Sequence, residues 1–175
     1  MRVPSMTTLD RAGLMQQLER WGIASTTVDH EPLFTVEQSA AVHRDVPGAH
    51  TKNFFLKDKK GNLFLVTAEH GTQVNLKVLH KKLGCGRLSF GNAELMQTHL
   101  GVTPGSVTAL AIINDSEMQV SFVLDQRLMD VKTINVHPLE NTATTSLSRE
   151  DLLRFVEQTG HAVAVVDLES DAPTE

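Results

Sequence analysis

The chain has 175 residues, of which 41% are hydrophobic, with a single cysteine and a formal net charge of −5. This length fits one domain, and the apolar fraction is high enough to exclude a wholly disordered chain. One cysteine excludes a disulfide framework within the chain and a cysteine-rich metal site, so we expect a cytoplasmic protein. No signal-peptide pattern and no apolar run near ~20 residues is found, and we expect no membrane partner.

The predicted helices follow from apolar residues at helical spacing and from capping residues. In the first helix Leu14 and Leu18 recur at this spacing, and a capping box over Thr35–Gln38 predicts the start of the second. Ser148 is the predicted N-cap of the last helix. The predicted helices cover residues 8–21, 35–42, 75–84, 91–101 and 149–160.

The predicted strands are apolar or alternating segments between these helices. The turn Lys59–Gly61 predicts a β-hairpin, and the polar turn Asn114–Ser116 predicts a second pair of joined strands. We expect extended segments at residues 23–31, 52–58, 62–68, 107–115, 119–125, 132–139, 141–147 and 161–168.

Irregular alternation of hairpins and helices predicts a single compact α/β domain on a mixed, largely antiparallel curved sheet with surrounding helices. We expect a flexible N-terminus over residues 1–7, the domain over 8–168 and a disordered tail over 169–175.

The charge is distributed unevenly along the chain. Residues 51–87 contain eight basic and two acidic side chains, a charge of +6, which leaves −11 for the remainder. A basic block in an acidic protein is typical of a polyanion-binding surface, because phosphate contacts depend on local charge. A solvated hairpin tip and a solvated helix face would give the same pattern.

Familiar catalytic and metal-binding motifs are absent from the sequence. There are eight histidines but no HxxxH or HExxH spacing, so we predict no metal site. The sequence has no GxSxG elbow, Walker loop or GxGxxG motif. Cys85, between two glycines, could be a nucleophile in a flexible loop, although a small residue at a helix end is the simpler interpretation.

Two polar features stand in otherwise structural surroundings. Lys52 and Asn53 lie directly beside the apolar run Phe54–Leu56, on the side away from the hairpin turn. His137 lies between a predicted strand and Pro138. Taken singly, a solvated edge charge and a strand end explain these residues, so each needs further support before it indicates a site.

Four blocks of sequence supply that support. TKNFFLKDKKGNLFLVT, LGVTPGSVTALAIIND, VSFVLDQRLMD and INVHPLENTATTSLS resemble, in this order, the YbaK/ProX family, also called the prolyl-tRNA synthetase-associated domain. The resemblance extends from about Leu9 to Leu168 and is closest to the free-standing branch that deacylates alanyl-tRNA(Pro). It implies hydrolysis of a mischarged aminoacyl-tRNA in trans without a metal or other cofactor. The implied partners are the acceptor end of tRNA(Pro) and prolyl-tRNA synthetase.

The resemblance also implies roles for individual residues. Lys52 matches the essential lysine of the family, and Asn53 beside it is the second catalytic candidate. His137 matches a pocket histidine of the alanine-specific branch, and Thr142 in the same block is expected in the pocket. The GxxPG spacing of Gly101–Gly105 departs from the usual GxxxP, so which glycine faces the substrate stays open. The remaining predicted residues are the pocket residues Gly101, Pro104 and Gly105, and the tRNA-binding residues Lys57, Lys59, Lys60 and Arg87.

The expected chemistry is simple because an aminoacyl ester is already activated. A positioned water and stabilisation of the developing oxyanion are sufficient. Specificity would come from size, since a second, smaller pocket can accept alanine and exclude proline. Two alternatives remain open: a preference for cysteinyl-tRNA(Pro) or another small aminoacyl group, and a non-catalytic module that binds tRNA or a synthetase.

Overall fold

The computed structural model describes residues 8–32 and 36–169. The predicted flexible segment 1–7, most of the predicted tail and Thr35 of the capping box lie outside these ranges. The described α-helices are α1 (Arg11–Arg20), α2 (Val36–Asp45), α3 (Leu76–Leu83), α4 (Ala93–Leu100) and α5 (Arg149–Gln158). The described strands are β1 (Thr26–Asp29), β2 (Ala49–Asp58), β3 (Leu63–Glu69), β4 (Leu88–Phe90), β5 (Val120–Asp125), β6 (Thr133–Val136), β7 (Ala143–Ser148) and β8 (Val163–Val166).

The described strands form one sheet in the order β1-β7-β6-β2-β3-β5-β8, with β4 paired to β2. Four of the described strand pairings are antiparallel and three are parallel. This confirms the predicted single α/β domain on a mixed, largely antiparallel sheet. Strand β2 is central, because it pairs with β3, β4 and β6.

The capping residues define the helix ends much as the sequence predicts. The side chain of Asn75 accepts a hydrogen bond from the first turn of α3, and Ser148 does the same for α5. Gly84 and Gly101 end α3 and α4 in the left-handed conformation, with φ of 68° and 67°, which glycine adopts without a steric penalty. Helix α1 begins later than predicted, because Asp10 is its N-cap.

The strand predicted over residues 107–115 is wrong. Residues Ala109–Asn114 form a 3-10 helix whose N-cap is Thr108. Its first four residues are fully buried, and a short apolar run of this kind does not distinguish a strand from a buried helical turn. The predicted hairpin with β5 is therefore absent from the described chain, and β5 pairs in parallel with β3 and β8. Strand β4 and a second 3-10 helix, Gln126–Asp130, were not predicted.

Two hydrophobic clusters pack on opposite faces of the central strands. Phe55 and Leu65 belong to the larger cluster, whereas their neighbours Leu56 and Val66 belong to the smaller one. This division follows from the alternation of side chains along a strand. Helices α1 and α5 contribute to the larger cluster and α3 to the smaller one. No helix in the described ranges has the length and apolar character required to cross a membrane.

Candidate functional site

The side of the sheet that contains β6 and β7 has one apolar and one polar face. Ile134 and Val136 of β6 pack in the larger core cluster. Asn135 and His137 alternate with them and therefore belong to the opposite face. In the parallel pairing of β2 with β6, His50 lies opposite Asn135. This pairing ends at His50 and Asn135, and the alternation of side chains predicts that Lys52 and His137, two positions further along each chain, lie on the same face.

A cavity of about 110 Å³ opens on this polar face. A cavity of this volume is suited to a small group. Helix α2 forms one wall and the sheet the others. The lining residues are Ser39, Val42, His43, His50, Thr51, Asn135, Val136, His137 and Thr144.

His137, one of the predicted pocket residues, is fixed at both its ring and its backbone. Its Nδ1 donates to the carbonyl oxygen of Ala143 at 3.0 Å, which assigns the proton to Nδ1. The hydroxyl of Thr108 donates to the His137 carbonyl at 2.7 Å. Burial lowers the pKa of His137, and the nearby His30 and His50 lower it further. We therefore expect a neutral ring whose Nε2 carries a lone pair.

Two further histidines that the sequence did not indicate, His43 and His50, line the cavity. The ring of His43 contacts those of His50 and His70 in tilted arrangements, with centroid distances of 4.2 and 4.4 Å. Burial and these two neighbours lower the pKa of His43 to about 4. His50 donates from Nε2 to the carbonyl of Val46 at 2.8 Å, and burial lowers its pKa as well. From the sequence, the only signal for these histidines is that His50 lies two positions before Lys52 in the same strand, and therefore on the same face.

The structure gives no indication that these histidines form a metal centre. Among the described residues, no group of three or more histidine, cysteine, aspartate or glutamate side chains is arranged to hold a metal ion.

Lys52 and Asn53, predicted as a catalytic pair, lie on opposite faces of β2. Lys52 is partly exposed and follows Thr51 of the cavity lining, on the face that carries His50. Asn53 lies on the core side, where its amide oxygen accepts a hydrogen bond of 2.6 Å from the hydroxyl of buried Thr67. Asn53 thus joins β2 to β3, and its catalytic role stays a prediction.

The remaining predicted pocket residues are not among those that line the cavity. Pro104 and Gly105 are exposed in the segment that leads to Thr108, which binds the His137 backbone. A Cβ atom at Gly101 would lie 2.8 Å from the Asn114 amide nitrogen, so this glycine has a packing role. The carbonyl of Thr142 accepts from the backbone N–H of His30 and connects the loop before β7 to the end of β1. Substrate contact by these residues stays a prediction.

The predicted tRNA-binding residues gather at the far end of β2. Lys59 and Lys60 are exposed in the hairpin turn, and Lys57 precedes them on β2. The carboxylate of Asp58 accepts from the N–H groups of Lys60 and Gly86, at 2.9 and 3.4 Å, which holds the residue before Arg87 against the turn. Seven residues separate Lys52 from Lys59, about 23 Å at ~3.3 Å per residue.

The predicted basic block is therefore not one surface. In α3, Lys82 donates from its ammonium group to the carbonyls of Asp167 and Glu169, at 2.8 and 2.7 Å. This lysine holds the segment after β8 against α3. Contact of the hairpin-tip residues with tRNA stays a prediction.

Comparison with known proteins identifies the family. The profile described as "Aminoacyl-tRNA editing domain" matches residues 30–155, which include every residue of the cavity lining. Prolyl-tRNA editing protein ProX of Acetoanaerobium sticklandii is 31% identical over 159 residues, which are 90% of this chain and 97% of that protein. Prolyl-tRNA synthetase associated domain-containing protein 1 of Bos taurus is 39% identical over 166 residues, 92% of this chain and 96% of that protein.

Solved structures agree at the level of the fold. A crystal structure of a candidate trans-editing enzyme for prolyl-tRNA synthetase has a TM-score of 0.68 at 18% identity, over 95% of this chain and 98% of that one. Because the family profile and relatives above 30% identity span most of the sequence, this chain belongs to the aminoacyl-tRNA editing domain family.

Proposed function

We propose that this protein hydrolyses alanyl-tRNA(Pro) in trans, releasing alanine and tRNA(Pro). As a member of the editing-domain family it is an aminoacyl-tRNA deacylase. What we propose is the identity of its substrate, with alanine as the aminoacyl group and tRNA(Pro) as the RNA. The observation that carries it is the cavity of about 110 Å³ with His137 in its wall, beside the strand β2 that carries Lys52. The names of the relatives, which refer to prolyl-tRNA, support tRNA(Pro) as the substrate RNA.

The reaction needs few protein groups. Lys52 binds the terminal nucleotide of the tRNA through a phosphate or sugar oxygen and stabilises negative charge on the ester carbonyl oxygen. Water adds to that carbonyl, and the bond between the acyl carbon and the ribose oxygen then breaks. The neighbouring ribose hydroxyl orients the water. No covalent intermediate with a protein nucleophile is required.

Selection by size follows from the small cavity. A pocket built for proline rejects alanine poorly, because small apolar differences amount to about 1–3 kcal/mol. A second pocket that is too small for proline selects in the opposite direction. The fixed ring of His137 limits the cavity on the side of the sheet. Alanine is therefore favoured over proline, and cysteine and serine are the relevant competitors.

A deacylation assay tests the proposal. Hydrolysis of alanyl-, cysteinyl-, seryl- and prolyl-tRNA(Pro) is measured with the wild-type protein and with Lys52→Ala. We expect the highest kcat/KM for alanyl-tRNA(Pro) and resistance of prolyl-tRNA(Pro). Faster hydrolysis of cysteinyl-tRNA(Pro) would show that cysteine, and not alanine, is the preferred aminoacyl group of the deacylase. Addition of prolyl-tRNA synthetase to the assay tests the predicted partner. The cytoplasmic location stays a prediction.

A further inference from the structure

Four polar side chains of the cavity lining donate their hydrogens to backbone carbonyls, whereas Ser39 and the ring N–H of His43 are able to donate to a ligand. Thr51 donates its hydroxyl hydrogen to the carbonyl of Asn135 at 2.8 Å. The amide nitrogen of Asn135 donates to two backbone carbonyls in residues 47–49, at 3.0 and 3.3 Å. His137 and His50 each donate their one ring N–H to a backbone carbonyl, as described above. These side chains therefore have little left to donate to a ligand.

Thr144 completes this pattern through a partner outside the cavity. Nδ1 of His30 lies 2.8 Å from the carbonyl oxygen of Glu31, which can only accept, so Nδ1 carries a ring proton. In the singly protonated ring, Nε2 lies 2.8 Å from the Thr144 hydroxyl and accepts its hydrogen. The backbone pairing of His30 with Thr142 holds the imidazole in place. Thr144 is buried and presents only its oxygen lone pairs to the cavity.

The resulting surface is rich in acceptors. Thr51 and Thr144 offer hydroxyl lone pairs, and His137 offers the lone pair of Nε2. Burial lowers the pKa of both His137 and His50, which keeps these rings neutral and able to accept. Ser39, on the α2 wall, has a rotatable hydroxyl that accepts or donates. A carboxylate or phosphate would meet lone pairs here, whereas an ammonium group has three donors and no acceptor.

We propose that this wall binds the α-ammonium group of the aminoacyl ester, with Thr144 as the contacting side chain and His30 as the residue that positions its hydroxyl. The inference rests on the proposed function, which supplies an aminoacyl ester as the ligand. Lys52, two positions beyond the His50–Asn135 pair on β2, then lies on the side of the ester and nucleotide. The two ends of the substrate are thus recognised by opposite chemistry, acceptors for the ammonium group and a cation for the phosphate or carbonyl oxygen.

The test compares two esters of equal size. Hydrolysis of alanyl-tRNA(Pro) is measured against that of lactyl-tRNA(Pro), in which a hydroxyl replaces the ammonium group. Thr144→Val keeps the shape of the side chain and removes its oxygen. Because a hydrogen bond to a charged group is removed, we expect kcat/KM for the alanyl ester to fall about 10- to 100-fold. Hydrolysis of the lactyl ester should change much less, so the alanyl/lactyl ratio falls about tenfold or more.

Two variants serve as controls. Thr144→Ser retains the oxygen and should keep the ratio within a few-fold of wild type. Thr145→Val removes a buried hydroxyl from the next position of β7, where it faces Thr27 at 2.8 Å on the other side of the strand. This variant should leave the ratio unchanged. Folded Thr144→Val that loses both activities equally, or neither, would overturn the proposal.

His30 requires a readout that a structural role would not change. His30→Gln offers an amide oxygen that can accept the Thr144 hydrogen, whereas His30→Leu offers none. We expect the alanyl/lactyl ratio to be retained in the glutamine variant and to fall several-fold in the leucine variant. An equal ratio in both variants, even with altered thermal stability, would show that His30 does not position Thr144.

The substrate assignment and the ammonium subsite can fail separately. If another aminoacyl-tRNA is hydrolysed faster than the alanyl ester, the test is repeated with the amino and hydroxy esters of that side chain in place of the alanyl and lactyl esters. In that case only the assignment of alanine is lost. If no ester is turned over, binding of 3′-alanylamido-3′-deoxyadenosine is compared with that of its lactylamido counterpart. Tighter binding of the amino compound, abolished in Thr144→Val, supports the subsite. Equal binding of the two compounds rejects it.

Discussion

In β3 and β5 consecutive residues are buried on both faces of the sheet, whereas β6 and β7 have an apolar face on one side only. Residues 63–68 of β3 are all buried, and they divide alternately between the two core clusters, apart from Thr67. On β6 and β7 the second face carries Asn135, Thr144 and Ser146 instead. The region of β3 and β5, which is packed on both faces, thus stabilises the fold and is called the apolar side of the sheet. The region of β6 and β7, called the polar side, forms the cavity with α2.

Strand β2 belongs to both sides. Phe55 and Leu56, in its second half, are almost fully buried in opposite clusters. His50 and Lys52, in its first half, lie on the polar face beside β6. A strand packed on both sides at one end gives the functional end a rigid attachment, which places a site more accurately than a mobile loop does. Substitutions on the two sides of the sheet should therefore separate activity from stability.

The largest expected effect on activity is that of Lys52→Ala. Removal of a group that stabilises developing negative charge lowers the rate about 10²- to 10³-fold. We expect alanyl-tRNA(Pro) hydrolysis to be nearly abolished while the thermal unfolding midpoint changes little, because this side chain is partly exposed. Single-turnover deacylation together with thermal denaturation provides the measurement. Lys81→Ala, an exposed lysine of α3, is the matched control. Near-normal turnover by Lys52→Ala would remove this lysine from the mechanism.

For Asp115→Asn, on the apolar side of the sheet, we expect the converse result, which is a loss of stability without a loss of activity. Asp115 and His161 precede β5 and β8, and their side chains, 1% and 4% exposed, meet at 2.8 Å. Removal of one partner from such a buried pair destabilises the fold by about 3 kcal/mol. Urea denaturation should show this loss, and the folded variant should keep normal kcat. Glu117→Gln, an exposed neighbour, is the control. Unchanged stability of Asp115→Asn would contradict the structural role of the pair.

This contribution should also depend on pH. Although burial alone would raise the pKa of Asp115, hydrogen bonds from His161 and from the N–H groups of Val120 and Gln119 hold it below its usual value. A carboxylate with a lowered pKa stabilises the fold above its unfolded pKa of about 3.9, and this stabilisation is lost as the pH falls through the folded pKa. The stability difference between wild type and Asp115→Asn should therefore decrease as the pH falls below about 4. A difference that grows on acidification would show the opposite sign.

On the polar side, His137→Ala should change the preference between aminoacyl groups more than it changes the rate of ester hydrolysis. The substitution removes the ring from the cavity wall, and each methylene newly buried there is worth about 0.8 kcal/mol. The ratio of kcat/KM for 2-aminobutyryl- and alanyl-tRNA(Pro) should therefore rise tenfold or more relative to wild type. A general base would behave differently, because its loss slows all substrates by a common factor of about 10² to 10⁴. An unchanged ratio with uniformly lower rates would make His137 a catalytic base.

The sequence predicted local features of both sides of the sheet better than the contacts between distant segments. The resemblance and the strand patterns placed Lys52 and His137 in separate blocks, and only the parallel pairing of β2 with β6 brings their two segments side by side. The pairing of Thr144 with His30 depends on tertiary hydrogen bonds and has no short-range signal. The apolar run before Asp115 satisfied a strand pattern equally well, and its burial on all sides selected a 3-10 helix. Local capping was easier to predict, because each cap involves residues within one turn.

Charge reversal at the hairpin tip should have a smaller effect. Lys57→Glu or Arg87→Glu should raise KM for tRNA more than it lowers kcat, because these residues lie at the far end of β2 from Lys52. Removal of one ion pair with a phosphate reduces the slope of log affinity against log salt by roughly 0.7 to 0.9. Binding of tRNA at several salt concentrations provides the measurement. Lys77→Glu on α3 tests whether the effect is confined to the tip. An unchanged salt slope in both tip variants would leave them as solvated surface residues.

The smallest expected effect is that of Cys85→Ser or of a metal chelator. Cys85 packs against the smaller core cluster on the apolar side of the sheet, near the hairpin tip. Burial raises the pKa of its thiol, with a further contribution from Asp58, so little of the nucleophilic thiolate is present at neutral pH. Hydrolysis of an activated ester by a positioned water also requires no metal. Deacylation by Cys85→Ser, and by wild type after chelation, should therefore stay within a few-fold of the untreated enzyme. A large loss after the serine substitution would indicate a thiol mechanism, and a loss after chelation that returns with added metal would indicate a metal-dependent one.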